Sequence, residues 1–186
     1  MKEDGTGLNG RRTVRVVIPT SAPSTQTSQD LGTTAFLPLR ERADVAQAAS
    51  WMVASDPWRQ LGYDTGRCEQ ILGLAGREPW GLWVAGQLKG FLLLCFEGPF
   101  VGYVQLLGVA PDARGQGWGT LLLRHAEQCI FQRSRNVFIC VSSFNEGARR
   151  FYARQGYFEV GRLERFLVQD HDEILLRKTL GPILGR

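Results

Sequence analysis

The sequence predicts an α/β (α+β) domain: a central sheet of six to seven strands, mixed but mostly antiparallel, with about four helices. Three observations carry this expectation. Strand-like runs at 80–85, 88–97 and 100–109 are joined only by Gly86-Gln87 and Gly98-Pro99, links far too short for a crossover, so these strands must be antiparallel neighbours. At Gly117 the apolar spacing changes to steps of three or four, through Trp118, Leu121, Leu122, Ala126, Cys129 and Ile130, which is a helix of about four turns. Strands and helices then alternate to the end of the chain, as in layered sheets covered by helices.

The elements follow in order. Ala35 to Arg40 reads as a first strand, and Glu41 to Ala54 has helical spacing through Ala43, Val45, Ala46, Ala49 and Met52. Asp56-Pro57 stops that helix, because proline lacks the N–H a helix needs. Arg67 to Ala75 suggests a second helix, ahead of the three strands already described. Beyond the long helix, Asn136 to Val141 is a dense β-branched and aromatic strand. The next helix opens on the capping pattern Ser143 to Glu146 and closes at Gly156. Two final strands, 157–168 and 173–180, are joined by the polar turn Gln169-Asp170-His171-Asp172.

Length and composition bound the function. With 186 residues, 44% of them apolar and 22% charged, one core can hold the chain without staples, and collagenous, wholly disordered and knottin-like classes are excluded. Residues 1–33 are poor in large apolar side chains, and eight of the ten residues from Thr20 to Gln29 are Ser, Thr or Gln. Such a segment buries too little to offset its ordering entropy, so it is expected to be a mobile leader. The domain is expected to span 34–180, with 181–186 as a tail. The longest apolar run, Phe91 to Phe96, is far short of the roughly 20 residues of a membrane helix. No signal-peptide apolar region follows Arg11-Arg12, and a cytoplasmic location is expected. The four cysteines show no metal spacing, and no metal is expected; Cys95, Cys129 and Cys140 stand in apolar surroundings as small core residues. Net charge is +4 with signs alternating along the chain, so no nucleic-acid partner is expected. The Arg149, Arg150 and Arg154 cluster reads as a solvated helix face, or as an anion-binding rim if the ligand carries phosphates.

The most informative stretch runs strand, turn, glycines, helix, from Val104 to Thr120. Gly115, Gly117 and Gly119 let the backbone approach a ligand closely. The helix that follows offers unpaired N–H groups and the positive end of its dipole, which suits a pyrophosphate. Arg114 adds a donor fork for phosphate oxygens. A P-loop would need Lys then Ser or Thr after the last glycine, whereas Gly119 is followed by Thr120-Leu121. A dinucleotide fingerprint needs its glycines directly after the strand and an acid about 20 residues on, but Ala110-Pro111-Asp112-Ala113 intervenes and the later strand offers Ile139-Cys140-Val141.

A third design fits. Arg114-Gly115-Gln116-Gly117-Trp118-Gly119 resembles the acetyl-CoA loop of the GNAT superfamily of N-acetyltransferases: Arg or Gln, two residues, Gly, one residue, then Gly or Ala. Val109-Ala110-Pro111-Asp112 stands where that family ends a strand. Downstream, Asn145, Ala148, Phe151, Tyr152, Gly156 and Tyr157 are similar to its asparagine-to-tyrosine helix. The resemblance covers 34–180 and looks closest to the ribosomal-protein alanine N-acetyltransferase type. It implies a fold whose fourth and fifth strands splay, with acetyl-CoA as co-substrate. Leu107, Gly108 and Val109 would contact pantetheine and the acetyl group. The amides of Gly115, Gln116, Gly117, Trp118, Gly119 and Thr120 would hold the pyrophosphate, and Asn145 would reach the pantetheine from the other side.

The implied reaction is direct attack of a neutral primary amine, on a peptide amino terminus or a small molecule, on the thioester. It needs a base, an oxyanion hole, an acid and close positioning. An N–H near Leu107 can serve the oxyanion. Tyr152, about 100° around the helix from Phe151, is assigned as the acid to the CoA sulfur, facing the cleft while Phe151 anchors the helix; the alternative is a half-buried packing tyrosine. For the base, the family's fifth-strand carboxylate position holds Cys140 here, and the early fourth-strand position holds Tyr103. Glu97 is the leading candidate, acting through water, beside Asp56 and the Asp170-His171-Asp172 turn; equally, Glu97 is a solvated strand-end charge. His125 reads as structural. Asp56-Pro57-Trp58, Tyr63 and Asp64 form either an aromatic and acidic lip for a cationic acceptor or a capped loop with a packing tryptophan. The competing function is a noncatalytic CoA-binding sensor or interaction module, supported by the missing carboxylate at Cys140. The protein is expected to be a monomer or a homodimer.

Overall fold

The computed structural model describes residues 33–184. The predicted leader lies outside them apart from Thr33, as does the end of the tail. Seven strands form one sheet in the order β1-β2-β3-β4-β5-β7-β6. They are β1 (Thr34–Pro38), β2 (Arg77–Val84), β3 (Gln87–Cys95), β4 (Tyr103–Val109), β5 (Asn136–Ser142), β6 (Phe158–Val168) and β7 (His171–Thr179). The helices are α1 (Arg42–Val53), α2 (Thr65–Leu72), α3 (Trp118–Phe131) and α4 (Glu146–Arg154), with a short 3-10 turn at Pro111–Ala113. As the turn lengths required, β2, β3 and β4 are antiparallel. Only β4 and β5 run parallel, because the chain between them crosses over as α3.

Strand alternation sends side chains to two cores. On one face Leu82, Leu92, Leu94, Val104, Ile139 and Ile174 pack under α3 and α4. On the other Phe91, Leu93 and Leu106 pack under α1 and α2 with Ala48, Met52 and Cys68. Each fully buried Leu or Phe contributes roughly 1.5–3 kcal/mol. On β3 and β4, Gly90 and Gly108 are demanded by the close approach of neighbours. A Cβ on Gly108 would stand 2.5 Å from the Phe91 ring and 3.2 Å from Trp58, and one on Gly90 would stand 2.9 Å from the Gly108 carbonyl.

Boundaries differ from the sequence expectation where local chemistry overrides pattern. β4 begins at Tyr103 rather than residue 100, since Gly98 and Gly102 both adopt positive φ and hold the intervening loop out of the sheet. The cap of α4 is Asn145, whose side chain accepts from the Ala148 N–H at 3.1 Å, and not Ser143. That hydroxyl instead accepts from the Asp172 N–H at 3.3 Å. The last hairpin turns within Gln169-Asp170, so His171 and Asp172 already belong to β7. Asp64 caps α2 by accepting from Arg67 N–H at 2.7 Å, which starts that helix at Thr65, two residues before the expected Arg67.

His125 is a packing residue, as its helical position suggested. Its ring stacks on Phe36 at 4.0 Å and meets Trp80 edge-on at 5.0 Å, and burial lowers its pKa from 6.5 to about 4. The folded state therefore binds fewer protons than the unfolded chain between those values. Its contribution to stability is complete above pH 6.5 and is lost as the pH falls towards about 4. From this group alone, urea unfolding at pH 5 is expected to show stability lower than at pH 7 by about 2 kcal/mol. His125→Gln should flatten that part of the slope, and an equal slope in both proteins would contradict it.

Candidate functional site

The site begins where the β4–β5 ladder ends. The parallel pair registers only at Tyr103 with Phe138 and Val104 with Ile139, reinforced at its root by the Phe138 N–H donating to the Gly102 carbonyl at 2.9 Å. Beyond Val104 the two strands part. On its other side β4 continues to pair with β3 as far as Val109, across a bulge that leaves Gln105 unmatched between Leu94–Val104 and Leu93–Leu106. A bulge sharpens twist and bends its strand, and here it coincides with the point where β4 leaves β5. Leu107, Gly108 and Val109 thus present a backbone edge to the gap that no strand of the described residues covers.

That edge leads into the glycine loop. Gly115 and Gly117 hold φ of +76° and +88°, and a Cβ built on either meets nothing within 4 Å, so the loop faces open space. Thr120 and Leu121 N–H both donate to the Gly117 carbonyl, at 3.0 and 3.2 Å. Among the described residues the N–H groups of Gly115, Gln116, Gly117, Trp118 and Gly119 have no acceptor, which leaves a row of donors at the positive end of α3.

The loop's side chains mainly brace it. Gln116 donates to the Asp112 carbonyl at 3.2 Å and accepts from the Trp118 ring N–H at 3.2 Å. Trp118 is buried in the α3/α4 core, so only its backbone faces a ligand. Arg114 donates to the Ser55 hydroxyl at 2.6 Å, tying the loop entrance to the end of α1. Asn145 has its side-chain oxygen committed to capping α4, which leaves its NH₂ for other partners.

On the α1/α2 face, side chains from three strands meet at the root of the gap. Val104, Ile139, Val141 and Ile174 belong to the α3/α4 core, so alternation sends Tyr103, Cys140, Ser142 and Glu173 to the opposite face. Glu173 registers against Ser142. It is only 4% exposed, and its Oε1 has no hydrogen-bond partner. Burial pushes its carboxyl pKa up, with the Ser142 hydroxyl and His171 pulling the other way. The Tyr103 phenol is pushed well above its usual value, first by burial, then by Cys140 and Glu173. Burial likewise raises the Cys140 thiol, against the lowering effect of a hydrogen bond from Tyr103.

Comparison with known proteins agrees with this geometry. The model of the acetyltransferase (GNAT) family matches residues 33–157. The chain belongs to that family. An uncharacterised N-acetyltransferase of Methanocaldococcus jannaschii is 32% identical over 61% of this chain and 78% of its own. Among solved structures, the ribosomal-protein-S18-alanine N-acetyltransferase of Escherichia coli shares the fold at 17% identity, covering 81% of this chain and 96% of that one with a TM-score of 0.64. An aminoglycoside 6′-N-acetyltransferase solved with coenzyme A shares it at 16% identity, covering 81% and 98%, with a TM-score of 0.65. This GNAT protein is an N-acetyltransferase, and acetyl-CoA is its co-substrate.

The GNAT frame shows which anticipated residues converge. Leu107 to Val109 and the loop from Arg114 to Thr120 form one continuous surface along the gap and into α3. Tyr152 and Phe151 exchange the environments expected of them. Tyr152 is the buried residue of α4, at 6% exposure, and lies edge-on to Phe151 and Tyr157 at 5.1 and 5.7 Å. Phe151 is half-buried, 3.8 Å from where a Gly119 Cβ would stand. The reason is that α4 turns its Tyr152 stripe onto the sheet, while Phe151 leans towards the start of α3. Burial raises the Tyr152 phenol above its ordinary value.

Glu97 stands beyond the end of β3, 69% exposed, with its carboxylate 3.3 Å from Arg77. Arg77 in turn donates to the side chain of the bulged Gln105 at 2.9 Å, so Glu97 reaches the gap only through that arginine. The aromatic and acidic lip is partly structural. Asp64 is a cap, Tyr63 lies under the Arg67 guanidinium at 4.4 Å, and Asp56 pairs with Arg59 at 3.0 Å. Trp58 packs on Phe91 at 6.0 Å and against Gly108, which puts it beside the open stretch of β4. Glu173 is not among the base candidates expected from the sequence. Its one signal was a carboxylate opening an otherwise apolar run, Ile174-Leu175-Leu176.

The conformation of Gly117 makes a direct prediction. A β-branched residue at φ +88° is strained by about 1–3 kcal/mol and would crowd the donor row. Gly117→Val should therefore weaken acetyl-CoA binding by calorimetry about tenfold or more. Wild-type affinity in this variant would mean that the loop does not hold the cofactor.

Proposed function

We propose that this protein moves the acetyl group of acetyl-CoA to a primary amine, on a peptide amino terminus or a small molecule, by direct attack within a ternary complex. The observation that carries the proposal is the uncovered β4 edge from Gln105 to Val109, running straight into a loop whose five amides have no internal acceptor. An extended pantetheine arm can pair with that edge as a strand would, and its diphosphate then falls at the positive end of α3. Leu107 to Val109 position the thioester, and β4 N–H groups are the oxyanion donors. Binding both substrates side by side turns a bimolecular encounter into an oriented one.

Tyr152 is the acid for the departing sulfur. Its ring packs in the α3/α4 core and burial holds its proton on at working pH, so the hydroxyl is a donor when thiolate charge develops. The arginine-rich exposed face of α4, at Arg149, Arg150 and Arg154, suits the outer phosphate of the cofactor, although Arg150 already pairs with Glu146 at 2.9 Å and Arg149 with Glu159 at 3.8 Å. Four free cysteines suit a reducing cytoplasm.

Release of CoA thiol from acetyl-CoA in the presence of a panel of peptide amino termini and small amines tests the reading. Turnover with at least one class is expected, and tight acetyl-CoA binding without turnover on any of them would favour a sensor instead. Tyr152→Phe should lower kcat about 10²-fold while leaving acetyl-CoA affinity at the wild-type value. Unchanged kcat would return Tyr152 to a packing role.

A further inference from the structure

We propose that Glu173, on β7, is the group that takes the proton from the acceptor amine. This rests on the acetyl-transfer reading above and adds to it the group for which the sequence alone gave only a weak candidate in Glu97. The argument is one of placement. An amine attacking a thioester held along β4 enters the gap between β4 and β5, whose border on the α1/α2 face carries Tyr103 from β4 and Cys140 from β5. Glu173 shares that face through its register with Ser142, and its charge acts on both Tyr103 and Cys140.

The chemistry singles out the same residue. A carboxylate withdrawn from water is expensive unless paired, yet Glu173 is 4% exposed, forms no ion pair among the described residues, and leaves Oε1 without a partner. Such a group contributes little to the fold and is free to bind a proton. The groups acting on it are the Ser142 hydroxyl on β5 and the His171 ring on its own strand, with Tyr103 and Cys140 beside it. Leu163 is its apolar register partner on β6.

The other carboxylates are committed elsewhere. Asp172 is held low by the Arg165 backbone N–H and by Arg162, and Asp56 by Gln60 and Arg59. Glu97 is hydrated and paired with Arg77. A base is most effective when its proton affinity approaches that of the amine it serves, and burial moves Glu173 in that direction.

The step balances as follows. The acceptor arrives as an ammonium ion and gives one proton to the Glu173 carboxylate, directly or across one water. The neutral amine forms the C–N bond, and the carbonyl electron pair moves to oxygen and returns as the C–S bond breaks. The second nitrogen-bound proton replaces the one that Tyr152 gives to the thiolate, so the products are amide and free thiol. Glu173 then returns its proton to solvent.

The test is the pH dependence of kcat/KM for an amine that the wild-type chain acetylates. Glu173→Gln is expected to lower kcat/KM about 10²-fold or more with acetyl-CoA affinity unchanged, and its residual rate should climb with pH as the amine loses its own proton. Ser142→Ala removes a hydrogen bond that favours the charged carboxylate, so the acidic limb of the profile should move to higher pH while the plateau persists. A buried glutamate with only a packing role would not move that limb. A Glu173→Gln enzyme with the wild-type profile, an unmoved limb in Ser142→Ala, or a loss confined to Glu97→Gln would overturn the assignment while leaving acetyl transfer intact. A wild-type chain that binds acetyl-CoA and acetylates nothing would overturn the underlying reading itself.

Discussion

Everything in the site depends on a ladder that stops after two rungs. A parallel pair normally zips along its length because each unmade backbone hydrogen bond in a covered position has a free-energy cost. Here β4 pairs with β5 only at Tyr103 and Val104, then turns away at the Gln105 bulge while staying paired to β3. The sheet thereby holds an open edge in its middle rather than at its rim. Its unsatisfied groups are what the proposed binding mode uses: an extended ligand laid there would complete the sheet that the chain leaves incomplete.

The two faces divide the labour. On the α3/α4 face the crossover helix starts at the top of the gap with its donors exposed, the end at which the proposal places the diphosphate, with the thioester along β4. On the α1/α2 face the helices cover the β1–β4 half, and at its border Tyr103, Cys140, Ser142 and Glu173 come together, with Ser142 and Glu173 themselves buried. Trp58, resting against Gly108, joins this face to the open stretch of β4. Glycines at 90 and 108 allow β3 and β4 to pack closely where Leu122, Phe91 and Trp58 press on them. In the proposed arrangement the donor end is thus built from backbone and the acceptor end from side chains.

The same division explains what could be read from the sequence. Turn lengths settle the antiparallel β2-β3-β4 run, and the change of apolar period at Gly117 settles α3, because both are local properties. The glycine loop was legible for the same reason: its spacing encodes its own backbone conformation. The bulge at Gln105 left no mark, since nothing in the run Val104 to Val109 distinguishes a bulged strand from a regular one. The environments of Phe151 and Tyr152 were exchanged because helical spacing gives the angle between two side chains but not the orientation of the helix on the sheet. Glu173 escaped notice as a base because its partners, Ser142, Cys140 and Tyr103, lie 31 to 70 positions earlier and meet it only through the register of β5 with β7. Conversely Glu97, attractive from its place near a strand end, is drawn outward by Arg77.

Residue-resolved amide exchange on the full chain, with and without acetyl-CoA, bears most directly on the open edge. The account predicts that the cofactor slows exchange along one continuous path, the amides of Gln105 to Val109 together with those of Gly115 to Gly119, while the already paired Tyr103 and Val104 change little. Unchanged exchange from Gln105 to Val109 in a chain saturated with acetyl-CoA would contradict it, because the cofactor would then be held without completing the sheet.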